Sequence, residues 1–167
     1  MIRKLLLGLM LAFVPVAMAA AQDLAKPTGP VILEIRGNIS RTNDAGAAKF
    51  DLAMLQALGA ETIATATPWT EGHTKFEGIA GAKLLAAVGA KGTKVVAAAI
   101  NDYKAEVPIE DLTEKGAFLA FSADGKRLTV RDKGPLWLLY PFDAKPDLKT
   151  EVYFGRSVWQ IKSLEIK

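Results

Sequence analysis

Short apolar segments that end at turn residues run through the chain from residue 31 onward, and they limit its fold more than any other feature. In the first segment, Val31, Leu33 and Ile35 alternate with Glu34 and Arg36, which is the pattern of a half-buried strand. Further strands are predicted over residues 61–68, 93–102, 103–108, 117–132, 133–143 and 157–167. Three short helices are predicted over residues 47–59, 79–90 and 109–116. Because strands dominate without regular βαβ alternation, we expect an α+β domain of strand-rich mixed β-sheets with short helices.

The segment 117–132 carries the clearest local signal, a hairpin. Asp124 and Gly125 suit a tight turn between two apolar strands. Alternation along the second strand would place Arg127 and Arg131 on one face, where they could bind an oxyanion bidentately. The same charges could instead protect an edge strand from pairing with another chain.

The first helix and the last strand are predicted from spacing. Phe50, Met54 and Leu58 recur every four residues before Gly59, where the helix would end. In the last strand the apolar alternation places Trp159 and Ile161 on one side and slips once further on. A bulge near Lys162 or Ser163 would explain the slip.

The N-terminus has the pattern of a cleaved secretory signal peptide. Arg3 and Lys4 precede an apolar run from Leu5 to Val16, and small residues follow up to Ala21. Cleavage there would divide the chain into a signal peptide, residues 1–21, and a single domain, residues 22–167. The run is shorter than the roughly 20 residues of a membrane span, and no later segment is apolar enough for one. We therefore expect a periplasmic or secreted protein without a membrane span.

Charge and cysteine content exclude several functions. Removing Arg3 and Lys4 with the signal leaves 19 basic and 18 acidic residues, which gives no electrostatic reason to expect nucleic acid as a partner. The chain has no cysteine. Disulfides, thiolate nucleophiles and sulfur-ligated metals are therefore excluded.

Two polar segments contain candidate site residues. His73, the only histidine, could act as a general base because imidazole titrates near neutral pH, or it could lie on the surface of a polar loop. Trp69 could be a ligand platform or a core anchor. Asn101, Asp102 and Tyr103 follow a buried strand, where they could line a site or build an Asx-type turn.

Four blocks in order carry a family resemblance: WTEGHTKFEGIAGAKLLAAVGA, VVAAAINDYKAEVPIEDL, FLAFSADGKRLTVRDKGPLWLLYP and GRSVWQIKSLEI. Together they resemble the oxidoreductase molybdopterin-binding, or sulfite oxidase-type, family. The resemblance covers roughly residues 31–167 and depends on the order of the blocks. It implies a fold of several small mixed sheets with short helices.

The resemblance also places the position of the family's metal ligand. In catalytic members a cysteine thiolate just after the strand that begins near Glu61 ligates molybdenum. By the spacing to Trp69, Thr65 would occupy that position, or Thr67 if the loop differs by two residues. A threonine hydroxyl stays protonated near neutral pH and cannot replace a thiolate.

The signal peptide points in the same direction. Exported family members typically acquire their cofactor before export, through a twin-arginine signal, whereas this chain has Arg3-Lys4 and a strongly apolar signal core. We therefore expect no cofactor, with molybdopterin as the alternative.

The resemblance implies a weakened anion pocket. Arg131 and Lys133 precede a block in which the family usually has an arginine, and Trp137 stands in its place. Arg156 falls where members often have a basic residue near the pterin phosphate. A cleft is predicted from these positions and the polar segments, lined by Trp69, His73, Asn101, Tyr103, Arg131 and Arg156.

These observations predict an exported, non-catalytic binding or accessory protein that holds a small anionic ligand or an envelope protein partner at the vestigial cofactor cleft. One alternative is a molybdopterin-dependent oxidoreductase that binds its cofactor without a cysteine ligand. The other is a periplasmic interaction module for an envelope sensor or redox partner, with an exposed apolar patch near Trp69 or Trp137.

Overall fold

A computed structural model describes residues 24–167, so the predicted signal peptide and its cleavage site lie outside the described residues. In chain order the described residues form β1 (Leu33–Gly37), β2 (Ala48–Phe50), α1 (Leu52–Ala57), β3 (Glu61–Ala66), β4 (His73–Ala80), α2 (Gly81–Val88), β5 (Lys94–Ala99), β6 (Lys104–Pro108), α3 (Ile109–Thr113), β7 (Phe118–Ala123), β8 (Lys126–Arg127), β9 (Trp137–Leu139), α4 (Glu151–Arg156) and β10 (Ile161–Ile166). Two 3-10 turns, Val130–Asp132 and Pro146–Leu148, lie between them. None of the helices in this part of the chain has the length and apolar character needed to cross a bilayer.

The strands form two sheets, which confirms the predicted α+β class. The first sheet has the order β2-β1-β10-β5-β6, and it is mixed because β1 and β10 run parallel while the other neighbours are antiparallel. The second sheet has the order β3-β4-β7-β8, and β9 also pairs with β7; all its pairs are antiparallel. The first and last strands of the described residues, β1 and β10, are therefore neighbours within the first sheet.

The prediction of a loop around His73 is wrong, because residues 73–80 form the strand β4 between β3 and β7. Its inward side chains alternate, with Thr74 and Phe76 buried. Gly78 permits the pairing, since a Cβ there would lie 2.2 Å from the carbonyl oxygen of Leu119. The segment is thus a central strand rather than a connection.

The predicted first helix began too early. Residues 48–50 pair with β1 as β2, so Phe50 belongs to a strand, and Leu55 is the buried residue of α1. Asp51 starts the helix because its Oδ1 accepts a hydrogen bond from the Met54 amide at 2.9 Å. This bond, with that from the Gly29 amide, holds the pKa of Asp51 below its usual value.

The hairpin turn at Asp124 and Gly125 is confirmed, but its second strand is short. β8 contains only two residues, and Arg131 lies in the 3-10 turn that follows. The prediction that Arg127 and Arg131 share a strand face is therefore wrong. The Thr129 hydroxyl donates to the Asp132 carboxylate at 2.7 Å and closes this turn locally. Arg127 lies on an edge strand, as the second interpretation required.

The bulge in the last strand is confirmed, because the pairing of β10 with β5 shifts between Ile161 and Ser163. Trp159, however, does not share a side with Ile161. Gln160 adopts a left-handed conformation, φ 54°, and β10 starts only after it. Ile161 is consequently buried, whereas Trp159 remains 37% exposed.

Apolar side chains form two clusters. The larger cluster contains side chains of the first sheet, of the helices and of β4, β7 and β9, and it includes the predicted helix residues Leu84, Leu85 and Val88. The smaller cluster lies on the second sheet around Phe76 and Trp137, with Trp69 packed against it. Trp69 therefore lies where the loop after β3 meets the second cluster.

Candidate functional site

The position expected for a metal ligand is buried and hydrogen-bonded. Thr65 at the end of β3 is fully buried. Its hydroxyl accepts a hydrogen bond from the Asp143 amide at 3.1 Å, and the Asp143 carboxylate accepts one from the Ala66 amide at 2.6 Å. We call Thr65, Ala66, His73, Asp143 and Lys149 the Thr65 corner. The Thr65 hydroxyl thus joins the end of β3 to the segment that contains Asp143.

Asp143 gathers the charged groups of this corner. Its Oδ1 accepts from the Lys149 ammonium at 2.8 Å, and its Oδ2 lies 3.0 Å from Nδ1 of His73. The bond from Lys149 and that from the Ala66 amide hold the pKa of the Asp143 carboxyl below its usual value. The carboxylate is thus fixed as an anion that bridges β3, β4 and the segment after β9.

His73 is therefore oriented by a carboxylate, as a general base often is. Its side chain is 76% exposed. Within residues 24–167, no side-chain hydroxyl forms a hydrogen bond with its imidazole.

The turn after β3 directs Trp69. The Thr67 hydroxyl accepts from the Trp69 amide at 3.2 Å and lies 2.9 Å from the Thr70 hydroxyl. Thr67 thus shapes the turn that places Trp69, and it also lines a smaller cavity with Ala66 and Lys149.

Trp69 is the centre of an aromatic cluster. Its ring meets those of Trp137, Phe154 and Trp159 edge-on, at centroid distances of 5.8, 5.9 and 5.7 Å. The Lys133 ammonium lies 5.5 Å from the Trp137 centroid and 5.9 Å from that of Trp159. Lys133 therefore makes cation–π contacts within the protein.

An open cleft of about 400 Å³ lies beside this cluster. It is bounded by Trp69, by the turn between β5 and β6, and by α4 with the segment that follows. We call it the aromatic cleft, and its lining consists of Trp69, Ala99, Asn101, Tyr103, Glu151, Phe154, Gly155, Ser157, Val158 and Trp159.

Most polar side chains of the aromatic cleft already have partners. Asn101 Oδ1 accepts from the Tyr103 amide at 3.2 Å, which is the Asx-type turn considered from the sequence. The Tyr103 hydroxyl donates to the Gly155 carbonyl at 3.3 Å and joins this turn to α4. Ser157 donates to the Tyr153 carbonyl at 2.9 Å. Within residues 24–167, the Glu151 carboxylate has no ion-pair partner.

Arg156 faces away from the cleft into a buried cluster. Its Nη1 donates to Asp111 Oδ2 at 2.9 Å, and the Tyr140 hydroxyl donates to the same oxygen at 2.8 Å. Burial, and then the bond to Asp111, raise the pKa of Tyr140 strongly. The guanidinium also lies 5.5 Å from the Tyr153 ring. Arg156 thus neutralises a buried carboxylate.

The structure divides the predicted site residues into groups. Trp69, Asn101 and Tyr103 line the aromatic cleft. Thr65 and His73 meet at Asp143. The others lie elsewhere: Thr67 shapes a turn, Asp102 pairs with Lys162 at 2.7 Å, Arg131 is exposed, Lys133 contacts two tryptophan rings, and Arg156 binds Asp111.

Several residues of these two regions were not predicted as site residues from the sequence, among them Asp143, Lys149, Glu151, Phe154 and Trp159. The density of aromatic residues over 153–159 was a signal that could have found the cleft wall. No local pattern marks Asp143, which meets Thr65 from 78 residues away.

Residues 49–144, more than half of the chain, match the family model of the oxidoreductase molybdopterin-binding domain. The chain belongs to this family. No curated protein matches the sequence.

The residues of this molybdopterin-binding domain do not fit the family's metal. A molybdenum ligand of the expected kind needs a soft thiolate, and the chain has no cysteine. The Thr65 hydroxyl is buried and bonded to Asp143, and the Arg156 guanidinium is held by Asp111. No group of three or more histidine, cysteine, aspartate or glutamate residues within 24–167 could hold a metal ion.

Proposed function

We propose that the chain is an exported, non-catalytic binding protein whose ligand occupies the aromatic cleft. The observation that carries this proposal is the contrast between the buried, hydrogen-bonded Thr65 and an open cleft of about 400 Å³ lined by four aromatic rings. The family framework is kept, while the place available to a ligand lies beside Trp69.

The size and lining of the cleft suit a small molecule. Ligand pockets are typically about 300–1,000 Å³ and are lined by apolar and aromatic side chains with a few polar groups. Here Trp69, Tyr103, Phe154 and Trp159 supply the rings. Asn101 supplies a side-chain amide at the rim, because only its Oδ1 is used in the Asx turn.

The cleft offers little for catalysis. Its lining contains one titratable acid, Glu151, and no histidine, lysine or arginine. Acid–base and nucleophilic catalysis commonly combine two groups, such as a nucleophile and an adjacent base, and the lining pairs Glu151 with no histidine or lysine. The oriented imidazole of His73 belongs to the Thr65 corner instead.

The anionic ligand expected from the sequence depended on Arg131, Lys133 and Arg156. None of the three lines the aromatic cleft. A periplasmic or secreted location remains part of the proposal, supported by the signal-peptide pattern of residues 1–21.

A second candidate function, a periplasmic interaction module, is favoured by the apolar rim of the same cleft. Tyr103 and Trp159 are 52% and 37% exposed. Ile100 and Val152, which adjoin lining residues in the chain, are 44% and 56% exposed. Exposed apolar patches of this kind often mark contacts with other proteins.

Analysis of the protein purified from its own host tests the proposal. Elemental analysis should find no stoichiometric molybdenum, and native mass spectrometry should find a small organic molecule that Trp159→Ala releases. Molybdenum at one equivalent per chain would contradict a non-catalytic role. Recovery of a stoichiometric envelope protein with wild type, and not with Trp159→Ala, would favour the interaction module.

A further inference from the structure

We infer that the ligand of the aromatic cleft is a small organic cation, of the class that carries a quaternary or alkylated ammonium group. This inference rests on the proposed function, because it names the ligand class of the same cleft. It departs from the anion expected from the sequence.

The aromatic rings in the wall of the cleft provide the attraction. Trp69, Tyr103, Phe154 and Trp159 all contribute to its wall. The face of an aromatic ring carries partial negative charge, so a group of rings attracts an ammonium centre, and tryptophan does so best. An alkylated ammonium has a diffuse charge and a low cost of leaving water, which suits a cleft that is more apolar than polar.

The charged groups of the lining favour the same sign. Glu151 is the one charged residue in the wall, and its carboxylate is free of ion pairs within the described residues. An anionic ligand would meet this carboxylate without a basic residue to compensate it. A cation would instead gain a counter-ion at the rim.

The protein itself places a cation against this cluster. The Lys133 ammonium lies 5.9 Å from the Trp159 ring centroid but does not line the cleft. Its charge weakens the attraction of a second cation to the same ring, so the Glu151 carboxylate is required to offset it.

The walls are held in place before a ligand binds. Tyr103 is fixed at both ends: its backbone amide donates a hydrogen bond to the Asn101 side chain, and its hydroxyl donates one to the Gly155 carbonyl. Trp69 is fixed by edge-on contacts with three other rings. Preformed walls reduce the ordering cost of binding.

Tryptophan fluorescence and calorimetric titration with choline chloride test the inference. The matched probe is 3,3-dimethylbutan-1-ol, in which a carbon atom replaces the ammonium nitrogen, and sodium sulfate is the anionic probe. We expect saturable choline binding and at least about ten-fold weaker binding of the neutral alcohol. Sulfate should not bind at the cleft.

Four variants localise the binding. Trp159→Leu should weaken choline binding about ten-fold, while Trp159→Phe should retain part of it because a ring remains. Glu151→Gln should weaken it about three-fold, as an exposed ion pair would. Glu110→Gln removes an exposed glutamate of α3 outside the cleft and should change nothing.

The outcomes separate the inference from the proposed function. Equal or tighter binding of the neutral alcohol, or sulfate binding that Trp159→Leu removes, would overturn the cationic ligand and leave a binding cleft. If none of the three probes gives binding that depends on Trp159, the inference fails, whereas the proposed function fails only if native mass spectrometry also finds no small molecule that Trp159→Ala releases.

Discussion

The Thr65 corner and the aromatic cleft both adjoin the turn that carries Trp69, and they differ in which of their groups have partners within the protein. In the corner, the Thr65 hydroxyl and the Asp143 carboxylate have protein partners. In the cleft, the polar groups are also mostly satisfied, but the lining is mainly apolar and aromatic, and Tyr103 and Trp159 remain partly exposed. Under our proposal, the family framework is kept while recognition changes from metal ligation to aromatic contact.

Trp137 is a buried core residue, in contrast to the partly exposed Trp159 of the cleft. It is buried against Phe76 and Trp69, and its indole donates to the Ser157 carbonyl at 3.3 Å. Trp137→Ala should therefore lower the free energy of unfolding by about 3–5 kcal/mol, measured by urea denaturation. Trp159→Ala, at a partly exposed ring, should cost about 1 kcal/mol. Equal losses would show that Trp159 is also a core residue.

Arg156 tests whether a basic residue serves the fold or a ligand. Arg156→Met would leave the buried Asp111 carboxylate without its cation. Oδ1 of Asp111 already has no hydrogen-bond partner within the described residues. We expect a loss of about 3 kcal/mol in unfolding free energy, and no loss of cleft binding. Arg131→Met, at an exposed position, is the control and should cost less than about 0.5 kcal/mol.

A partner variant strengthens this test. Combining Asp111→Asn with Arg156→Met removes both charges and should recover part of the stability. If Arg156→Met leaves stability intact and abolishes ligand binding, Arg156 is a ligand contact and the structural role given to it is wrong.

Thr65→Val would remove the hydroxyl group while keeping the shape of the side chain. The Asp143 amide would lose its acceptor in a part-buried site, so we expect a loss of about 1–2 kcal/mol in urea denaturation. Thr65→Ser keeps the hydroxyl and should lose less. Choline affinity should be unchanged in both variants, and a large decrease would contradict the separation of the two regions.

The smallest effect concerns acid pH. Because the pKa of Asp143 is lowered in the folded protein, its ionised form contributes stability above the unfolded value of 3.8, and this contribution is lost as pH falls through the lower folded value. The stability difference between wild type and Asp143→Asn should be full near pH 6 and shrink below about pH 3.8. Asp147→Asn, at an exposed position, is the matched control. A difference independent of pH would rule out the proposed ionic role.

Much of the fold could be predicted because it is written in local patterns. The Asp124-Gly125 turn, the helix α2 closed by Gly89 and the bulge in β10 each follow from adjacent residues. β4 was missed because its polar residues His73 and Lys75 suggested a surface loop, although Thr74 and Phe76 alternate inward. Packing between β3 and β7 decides its conformation.

The site was predictable only in part for the same reason. Trp69, Asn101 and Tyr103 stood out by residue type and lie together in the cleft. The role of Arg156 depends on Asp111, which is 45 residues away, and that of Thr65 depends on Asp143. Trp159 faces outward because a single left-handed residue, Gln160, precedes the last strand. Long-range contacts and single left-handed residues of this kind leave no periodic signal in the sequence.

A two-dimensional ¹H–¹⁵N NMR titration with choline tests the separation of corner and cleft most directly. We predict saturable shifts of the indole signals of Trp69 and Trp159, with the amide signals of Ala66 and Asp143 unchanged. Shifts at Ala66 and Asp143 without shifts of the two indole signals would place binding at the Thr65 corner and contradict this account.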